Sequence, residues 1–146
     1  MSIAALEAGI AFNNSSVTIV HGMSRPIGAL YHVPHGLSNA MILNSCLKFV
    51  VDGCYDRFSN LAKTINLVEN NISDKEASSK FIEEIEKLCE LLKVPTLTEF
   101  GINKRVFFEN INKMAIDAME SGSPQNTIKS ITNEDIVNIY RSLWDK

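Results

Sequence analysis

The three histidines of this chain lie close together in the sequence, at His21, His32 and His35. On one unbroken helix, His21 and His35 would stand about 20 Å apart, because each residue advances the helix axis by about 1.5 Å. A shared metal ion requires both imidazole nitrogens within about 2.1 Å of it. A helix–loop–helix in which the two rings converge would meet that requirement. Taken alone, this spacing is a weak signal for a metal site, and histidines that bind no ion are the more common case.

The histidine segment also contains residues that interrupt helices, namely Gly22, Pro26, Gly28, Pro34 and Gly36. We therefore expect a shaped turn between two apolar helices, which brings His21 and His35 onto one concave surface. Proline is favoured in the first turn of a helix, so Pro34 predicts His35 at a helix N-terminus. The helix dipole there favours the neutral imidazole, which is the form that donates a lone pair to a cation.

The elements that must position these histidines are predicted to be helices. Apolar residues recur at helical spacing over most of the chain and predict an all-α bundle of about six or seven helices. The predicted core positions are Tyr55, Phe58, Leu61, Ala62 and Ile65; Phe81, Ile85, Leu88 and Leu92; Phe107, Ile111, Met114 and Ala118; and Ile136, Ile139, Tyr140 and Leu143. Further apolar stretches run over residues 3–12 and 37–50. Nothing divides the chain, so we expect one helical domain over residues 1–146.

Capping residues mark several predicted helix ends. Ser73 with Glu76 forms a capping box, and Pro95 stops the helix that this box begins. Thr132 with Asp135 begins the last helix. Gly122 can close the preceding one.

One local pattern conflicts with the all-α prediction. The run Val17-Thr18-Ile19-Val20 is β-branched, which is typical of a strand. No partner strand lies within hairpin reach. We therefore interpret the run as a buried helix whose intrinsic propensity is overridden by packing.

Composition excludes several classes of protein. A net charge of −3 and a pI near 5.6 provide no basic field for nucleic acid. No secretory signal is evident, and no apolar run approaches the ~18 residues of a membrane span, so a soluble, cytoplasmic protein is expected. Cys46, Cys54 and Cys89 have neither disulfide nor zinc-site spacing and are interpreted as buried free thiols.

Longer stretches around the histidines have the form of a known family signature. The sequences AGIAFNN and VHGMSRPIGALYHVPHGLSNAM resemble the signature region of iron-containing (group III) alcohol dehydrogenases, and SGSPQN with ITNEDIVNIYRSLW resembles the closing segment of that family. The resemblance covers nearly the whole chain. It implies the C-terminal metal-binding domain of these two-domain enzymes, which is the all-helical part of a dehydroquinate synthase-like fold.

The resemblance assigns roles to particular residues. His21 and His35 would be two of four ligands to Fe²⁺, with Zn²⁺ as an alternative, while the other Asp and His ligands are not in this chain. The nucleotide-binding domain that holds NAD or NADP is also expected to be absent. Phe12 would border the substrate and nicotinamide pocket, although it could equally be an ordinary core residue. Small alcohols or aldehydes are the implied substrates, and a homo-oligomer the implied assembly.

Two positions depart from the ligand pattern or lie outside it. Arg25 stands where many family members have a second histidine near the reacting centre. An arginine cannot shuttle a proton at neutral pH but can hold a phosphate or carboxylate, so its catalytic assignment competes with a structural ion pair. His32 is not a ligand in the pattern and is predicted to cap a turn or face solvent.

The sequence is therefore compatible with two functions. In the first, the chain is the metal-binding catalytic half of an NAD(P)-dependent alcohol dehydrogenase that interconverts alcohols with aldehydes or ketones, inactive as an isolated chain. In the second, it is a stand-alone helical remnant acting as a non-catalytic assembly or binding module.

Overall fold

Helices make up the fold. A computed structural model describes residues 2–145, and within them it contains seven α-helices and no β-strand. The helices are α1 (Ser2–Ser15), α2 (Ile19–Tyr31), α3 (His35–Val50), α4 (Tyr55–Thr64), α5 (Asp74–Leu91), α6 (Lys104–Glu120) and α7 (Asn133–Ser142), with short 3₁₀ turns at Val51–Gly53 and Pro124–Asn126. The all-α prediction and the predicted number of helices are confirmed.

The core lies between α2, α3, α6 and α7. All predicted core positions on α6 and α7 are buried, because each of these helices has its apolar residues on one face. Phe107 is fully buried, and its ring lies edge-on to Tyr140 at 5.8 Å and to Trp144 at 5.3 Å between centroids. Aromatic pairs in this geometry each contribute about 0.5–1.5 kcal/mol beyond the area they bury.

Small residues and part of the predicted apolar stripe join α4 to α5. Ala62 and Ala77 are fully buried, and Ser78 donates a hydrogen bond to the Tyr55 carbonyl at 2.8 Å. Phe58 and Phe81, both predicted core positions, are half-buried with their ring centroids 5.8 Å apart. Four other predicted core residues are exposed, namely Leu61, Ile65, Leu88 and Leu92, so that part of the core prediction was wrong.

The predicted helix ends are present, although only half of the capping box predicted at Ser73 and Glu76 is formed. The Ser73 hydroxyl accepts the backbone N–H of Glu76 at 3.2 Å, and α5 ends at Leu91, ahead of Pro95. Thr132 and Asp135 form a reciprocal capping box at the start of α7. Gly122 follows α6 with φ +72°, a conformation that glycine adopts without steric cost.

The β-branched run over residues 17–20 is divided between a link and a helix. Thr18 is extended, and α2 begins at Ile19, which is only 2% exposed. The side chain of Thr18 does not cap this helix. The Ile19 N–H, one of the free backbone donors at the helix N-terminus, instead donates to the hydroxyl of Thr127 at 3.1 Å. The helical interpretation therefore applies to Ile19 and Val20 only.

The chain reverses direction at one place in the histidine segment, over residues 32–34. His32 there is exposed and has φ +54°, in agreement with its predicted position at a turn. The expectation that Pro26 and Gly28 also break the helix was wrong, because both lie inside α2. Pro26 is buried there next to the fully buried Ile27, and burial of this face outweighs the loss of one backbone hydrogen bond.

The first helix, α1, has no buried residue. Ile3, Leu6 and Ile10 are 74%, 65% and 57% exposed, so the apolar stretch predicted over residues 3–12 is helical but does not enter the core. No single helix among residues 2–145 is both long and apolar enough to span a membrane; α1 and α2 reach that length and composition only as a pair bent by 107°.

The three cysteines are free. Cys46 and Cys54 are buried as predicted, whereas Cys89 is only half-buried. Burial raises the pKa of the Cys46 thiol to about 12, which keeps it protonated and unreactive at neutral pH.

Candidate metal centre

His21 and His35 face each other across the hairpin formed by α2 and α3. Their ring centroids are 5.2 Å apart, with the ring planes inclined at 55°. His21 lies in the first turn of α2 and His35 is the first residue of α3, so two helix beginnings supply the pair. The predicted convergence of the two imidazoles is confirmed.

The surroundings of His21 favour its neutral form. Partial burial, followed by the charges of His35 and Arg25, lowers the pKa of His21 below its ordinary value. A neutral imidazole at physiological pH offers a lone pair to a divalent cation. The electrostatics of the site therefore suit ligation at this ring.

A polar neighbour holds the ring of His35. The amide nitrogen of Asn39, one helical turn further along α3, lies 3.2 Å from Nε2 of His35. The amide oxygen of Asn39 is buried and has no hydrogen-bond partner among the described residues. The contact between the Asn39 amide nitrogen and Nε2 orients the His35 ring within the cleft, and because an NH2 group can only donate, it occupies the Nε2 lone pair.

Phe12 lies over His21. Their rings are nearly parallel, with centroids 6.2 Å apart and an interplanar angle of 11°. Phe12 is 53% exposed, so the interpretation of it as an ordinary core residue was wrong. It forms one wall of the cleft, reaching the histidines from the otherwise unburied α1.

Arg25 projects from the same face of α2 as His21, one turn later. Its Nη1 donates to the hydroxyl of Ser123 at 3.4 Å, and the side chain is otherwise exposed. Within residues 2–145 it forms no ion pair, so the structural ion pair considered from sequence is not found there.

An open cavity of about 560 Å³ joins these side chains. Its lining consists of Phe12, Asn13, Ser16, Val17, His21, Arg25 and His35. None of these residues is acidic. A neighbouring cavity of about 490 Å³ lies on the Asn39 side of Phe12 and His21. A further cavity of about 600 Å³, between α3, α5 and the segment that follows α5, contains none of the histidines.

Residues near the C-terminus support the site from a distance in sequence. Asn126 donates to the Val17 carbonyl at 3.0 Å and to the Ser16 hydroxyl at 3.3 Å, which ties the link between α1 and α2 to the second 3₁₀ turn. Gly22 allows Pro124 to approach: a Cβ on Gly22 would lie 2.8 Å from the Pro124 ring. The sequence signal for these residues was the SGSPQN segment, but nothing in it indicated which residues it contacts.

The histidine pair supplies only part of a metal site. Among residues 2–145 no three side chains of histidine, cysteine, aspartate or glutamate are grouped so that they could hold a metal ion. Two imidazoles fit iron or zinc in donor type, since both metals accept neutral nitrogen ligands. Two donors fall short of the three or four protein ligands that a tight site requires.

An all-helical fold that presents two facing imidazoles, an aromatic wall and an open cavity agrees with the resemblance found in the sequence. The family model described as "Fe-containing alcohol dehydrogenase family, C-terminal" matches residues 1–144. The chain therefore belongs to the iron-containing alcohol dehydrogenase family and corresponds to its C-terminal part.

Individual relatives agree with this assignment. The chain is 28% identical over 145 residues to lactaldehyde reductase of Escherichia coli K12, covering 99% of this chain and 37% of that protein. It is 33% identical over 141 residues to 4-hydroxybutyrate dehydrogenase of Clostridium kluyveri, covering 94% and 36%. The crystal structure of a 1,3-propanediol oxidoreductase is similar with a TM-score of 0.88 and 27% identity, covering 97% of this chain and 36% of that one. The chain thus spans little more than a third of the length of these relatives.

Proposed function

We propose that the chain is the metal-binding catalytic half of an NAD(P)-dependent alcohol dehydrogenase that interconverts alcohols with aldehydes or ketones. His21 and His35 are two of the ligands to a divalent ion, iron or alternatively zinc. The observation that carries the proposal is the convergence of the two rings, 5.2 Å apart, at a cavity that Phe12 borders.

Each side chain of the cleft has a role in this proposal. His21 and His35 would hold the ion through ring nitrogens, and a bound divalent cation would supply Lewis-acid polarisation of the substrate oxygen. Phe12 lies parallel to His21 and gives the cavity an apolar wall. Arg25 adds a positive charge to the cavity and, as an arginine, cannot serve as a general acid or base.

The family relationship supports a small hydroxyl- or carbonyl-bearing substrate. The relatives named above are a lactaldehyde reductase, a 4-hydroxybutyrate dehydrogenase and a 1,3-propanediol oxidoreductase. The family model and these relatives match nearly the whole chain, which supports the same class of substrate for the enzyme to which this chain belongs. The pocket is proposed to be completed by the part of the enzyme that this chain does not span, so surfaces beyond this half contribute to the choice of the individual alcohol.

The isolated chain is proposed to be inactive. Two neutral imidazoles leave at least two coordination positions to water and bring no negative charge, so iron or zinc binds weakly. The remaining ligands and the surface that binds NAD or NADP are proposed to come from the part of the enzyme that this chain does not span. A hydride acceptor is therefore missing from the isolated half.

A second candidate function is a non-catalytic assembly module. The observation that favours it is the exposed apolar surface of α1, formed by Ile3, Leu6 and Ile10. Apolar patches of this kind often mark protein interfaces. In the catalytic proposal the same surface meets the rest of the enzyme.

Metal titration of the purified chain distinguishes the two candidates. Calorimetry under anaerobic conditions with Fe²⁺, and separately with Zn²⁺, is expected to give weak binding that His21→Ala and His35→Ala each abolish. His32→Ala is the matched control, since His32 is exposed at the turn between the two helices. Unchanged binding in the His21 and His35 variants would overturn the metal proposal. Turnover of short alcohols with NAD or NADP would contradict the proposed inactivity of the isolated chain.

A further inference from the structure

We infer that Arg25 binds an anionic group of the substrate, and that the site therefore accepts alcohols or aldehydes that carry a carboxylate. The inference rests on the proposed function for the hydroxyl end of the substrate, which is placed at the histidines. Binding of the anionic end of the substrate depends on Arg25 and not on the metal, so it is tested separately.

The position of Arg25 connects it to the histidine pair. It follows His21 by four residues on α2, so the two side chains lie on the same helix face, about 6 Å apart along the axis. Both line the 560 Å³ cavity together with His35.

The guanidinium is held in place but keeps most of its donors. One nitrogen donates to the Ser123 hydroxyl, and Ser123 is only 3% exposed, so the anchor belongs to the packed interior. A guanidinium carries five N–H donors in a fixed plane, and a carboxylate accepts two of them in parallel. Within residues 2–145 no acidic side chain occupies that position.

The charge balance of the cavity also favours an anion. Its lining holds one permanent positive charge and no acidic residue. A substrate with a carboxylate near Arg25 and its oxygen near the histidines would place its negative charge beside that positive charge.

The separation of the two positions limits the length of the substrate. One helical turn separates His21 from Arg25, which corresponds to a chain of a few carbon atoms between hydroxyl and carboxylate. A short ω-hydroxy acid, or the corresponding aldehyde acid, spans this distance. A neutral alcohol of the same length leaves the guanidinium without a partner.

The test compares an acid with its neutral amide on the 146-residue chain without metal. The chain is titrated with 4-hydroxybutyrate and with 4-hydroxybutyramide while the Arg25 Nε–H and His21 ring resonances are followed by NMR. The acid is expected to bind about ten-fold more tightly than the amide, because a charge-assisted bidentate contact is lost in the amide. Arg25→Gln removes this preference. Arg25→Lys retains only part of it, since lysine cannot form the planar bidentate contact.

Arg57→Gln is the matched control, because Arg57 is an exposed arginine on α4 that lies outside the cavity lining. This variant keeps the full preference for the acid. Equal binding of acid and amide to the unsubstituted chain overturns the inference without reliance on any variant. It is also overturned if Arg25→Gln keeps the preference, or if the Arg25 resonances respond to inorganic phosphate and not to the acid.

The outcome is separable from that of the proposed function. If the acid preference depends on Arg25 while His21→Ala leaves metal binding unchanged, the metal assignment fails and the anion site stands. If metal binding depends on His21 while acid and amide bind equally, the anion site fails and the metal assignment stands.

Discussion

Gly22 of α2 lies against Pro124 of the second 3₁₀ turn so closely that no side-chain atom fits between them. A Cβ on Gly22 would lie 2.8 Å from both Cγ and Cδ of the Pro124 ring and 3.4 Å from the Ala118 carbonyl oxygen. This contact fixes the position of the first turn of α2, from which His21 projects.

Gly22→Ala is therefore expected to destabilise the fold by about 1–3 kcal/mol, the usual range for overpacking a buried contact. Gly36→Ala is the control: Gly36 is exposed in the first turn of α3 and a Cβ there meets nothing within 4 Å, so stability should change by no more than about 0.5 kcal/mol. Urea denaturation followed by circular dichroism measures both. If Gly22→Ala leaves the free energy of unfolding unchanged, Pro124 can move aside without destabilising the fold.

A buried hydrogen bond between α7 and α2 is a second target. The Tyr140 hydroxyl donates to the Met23 carbonyl at 2.6 Å, and both residues are fully buried. Tyr140→Phe is expected to lower the free energy of unfolding by about 0.5–1.5 kcal/mol. Tyr31→Phe is expected to have a smaller effect, because the Tyr31 hydroxyl lies 3.5 Å from the Val106 carbonyl at an exposed position where water replaces the contact. Equal losses in the two variants would contradict this ranking.

The capping box of α7 predicts a pH dependence of stability. Hydrogen bonds from the side chain and backbone of Thr132 lower the pKa of Asp135 below its ordinary value. A carboxyl with a lowered folded-state pKa stabilises the fold above its unfolded pKa, about 3.9, and this contribution is lost as pH falls through the lower folded value. Relative to Asp135→Asn, the protein should lose about 0.5 kcal/mol below pH ~4, a modest figure because solvent screens the site.

Denaturation curves of both proteins between neutral and acid pH measure this difference. The Asn variant retains the shape of the side chain but does not titrate. A difference that is independent of pH would assign the effect of position 135 to hydrogen-bond geometry and not to its charge.

Asn39 is expected to oppose metal binding at His35. Its amide nitrogen lies 3.2 Å from Nε2 of His35, and an NH2 group can only donate, so it occupies a lone pair that a cation needs. Asn39→Ala frees that nitrogen and should tighten the weak binding of Zn²⁺ measured by calorimetry. Asn112→Ala, at an exposed position of α6, serves as the control. Weaker binding in Asn39→Ala would show instead that the amide positions the ring for ligation.

The exposed face of α1 predicts self-association of the isolated chain. Ile3, Leu6 and Ile10 lie along one side of this helix and are largely exposed. Leu6→Lys should shift the sedimentation-velocity profile towards the monomer and leave the circular dichroism spectrum unchanged, since Leu6 contributes nothing to the core. Leu30→Lys, at a less exposed apolar position outside α1, is expected to shift the profile less. Equal shifts would exclude α1 as the main contact.

The buried face could be predicted from the sequence for some helices and not for others. On α6 and α7 the apolar spacing indicated the buried face correctly. On α5 the same reasoning placed Leu88 and Leu92 in the core, yet both are exposed. An apolar stripe indicates that a helix favours a partner, but not whether that partner belongs to the same chain.

The sequence predicted that His21 and His35 lie close together, but it did not predict which contacts position them. The proximity of His21 and His35 followed from an expected chain reversal, but the reversal occurs only at residues 32–34, and Pro26 is accommodated inside α2. The hydrogen bonds that Ser123 and Asn126 make to this region join residues about a hundred positions apart in the chain. Local patterns in a single sequence carry no information about such distant pairings.

Because α2, residues 32–34 and α3 form one continuous hairpin, both histidines are encoded within a single short stretch of gene. A duplication, fusion or recombination event that transfers residues 19–50 therefore transfers two facing imidazoles together. In the proposed metal site, the donors contributed by any other segment could then be gained or lost independently of this hairpin.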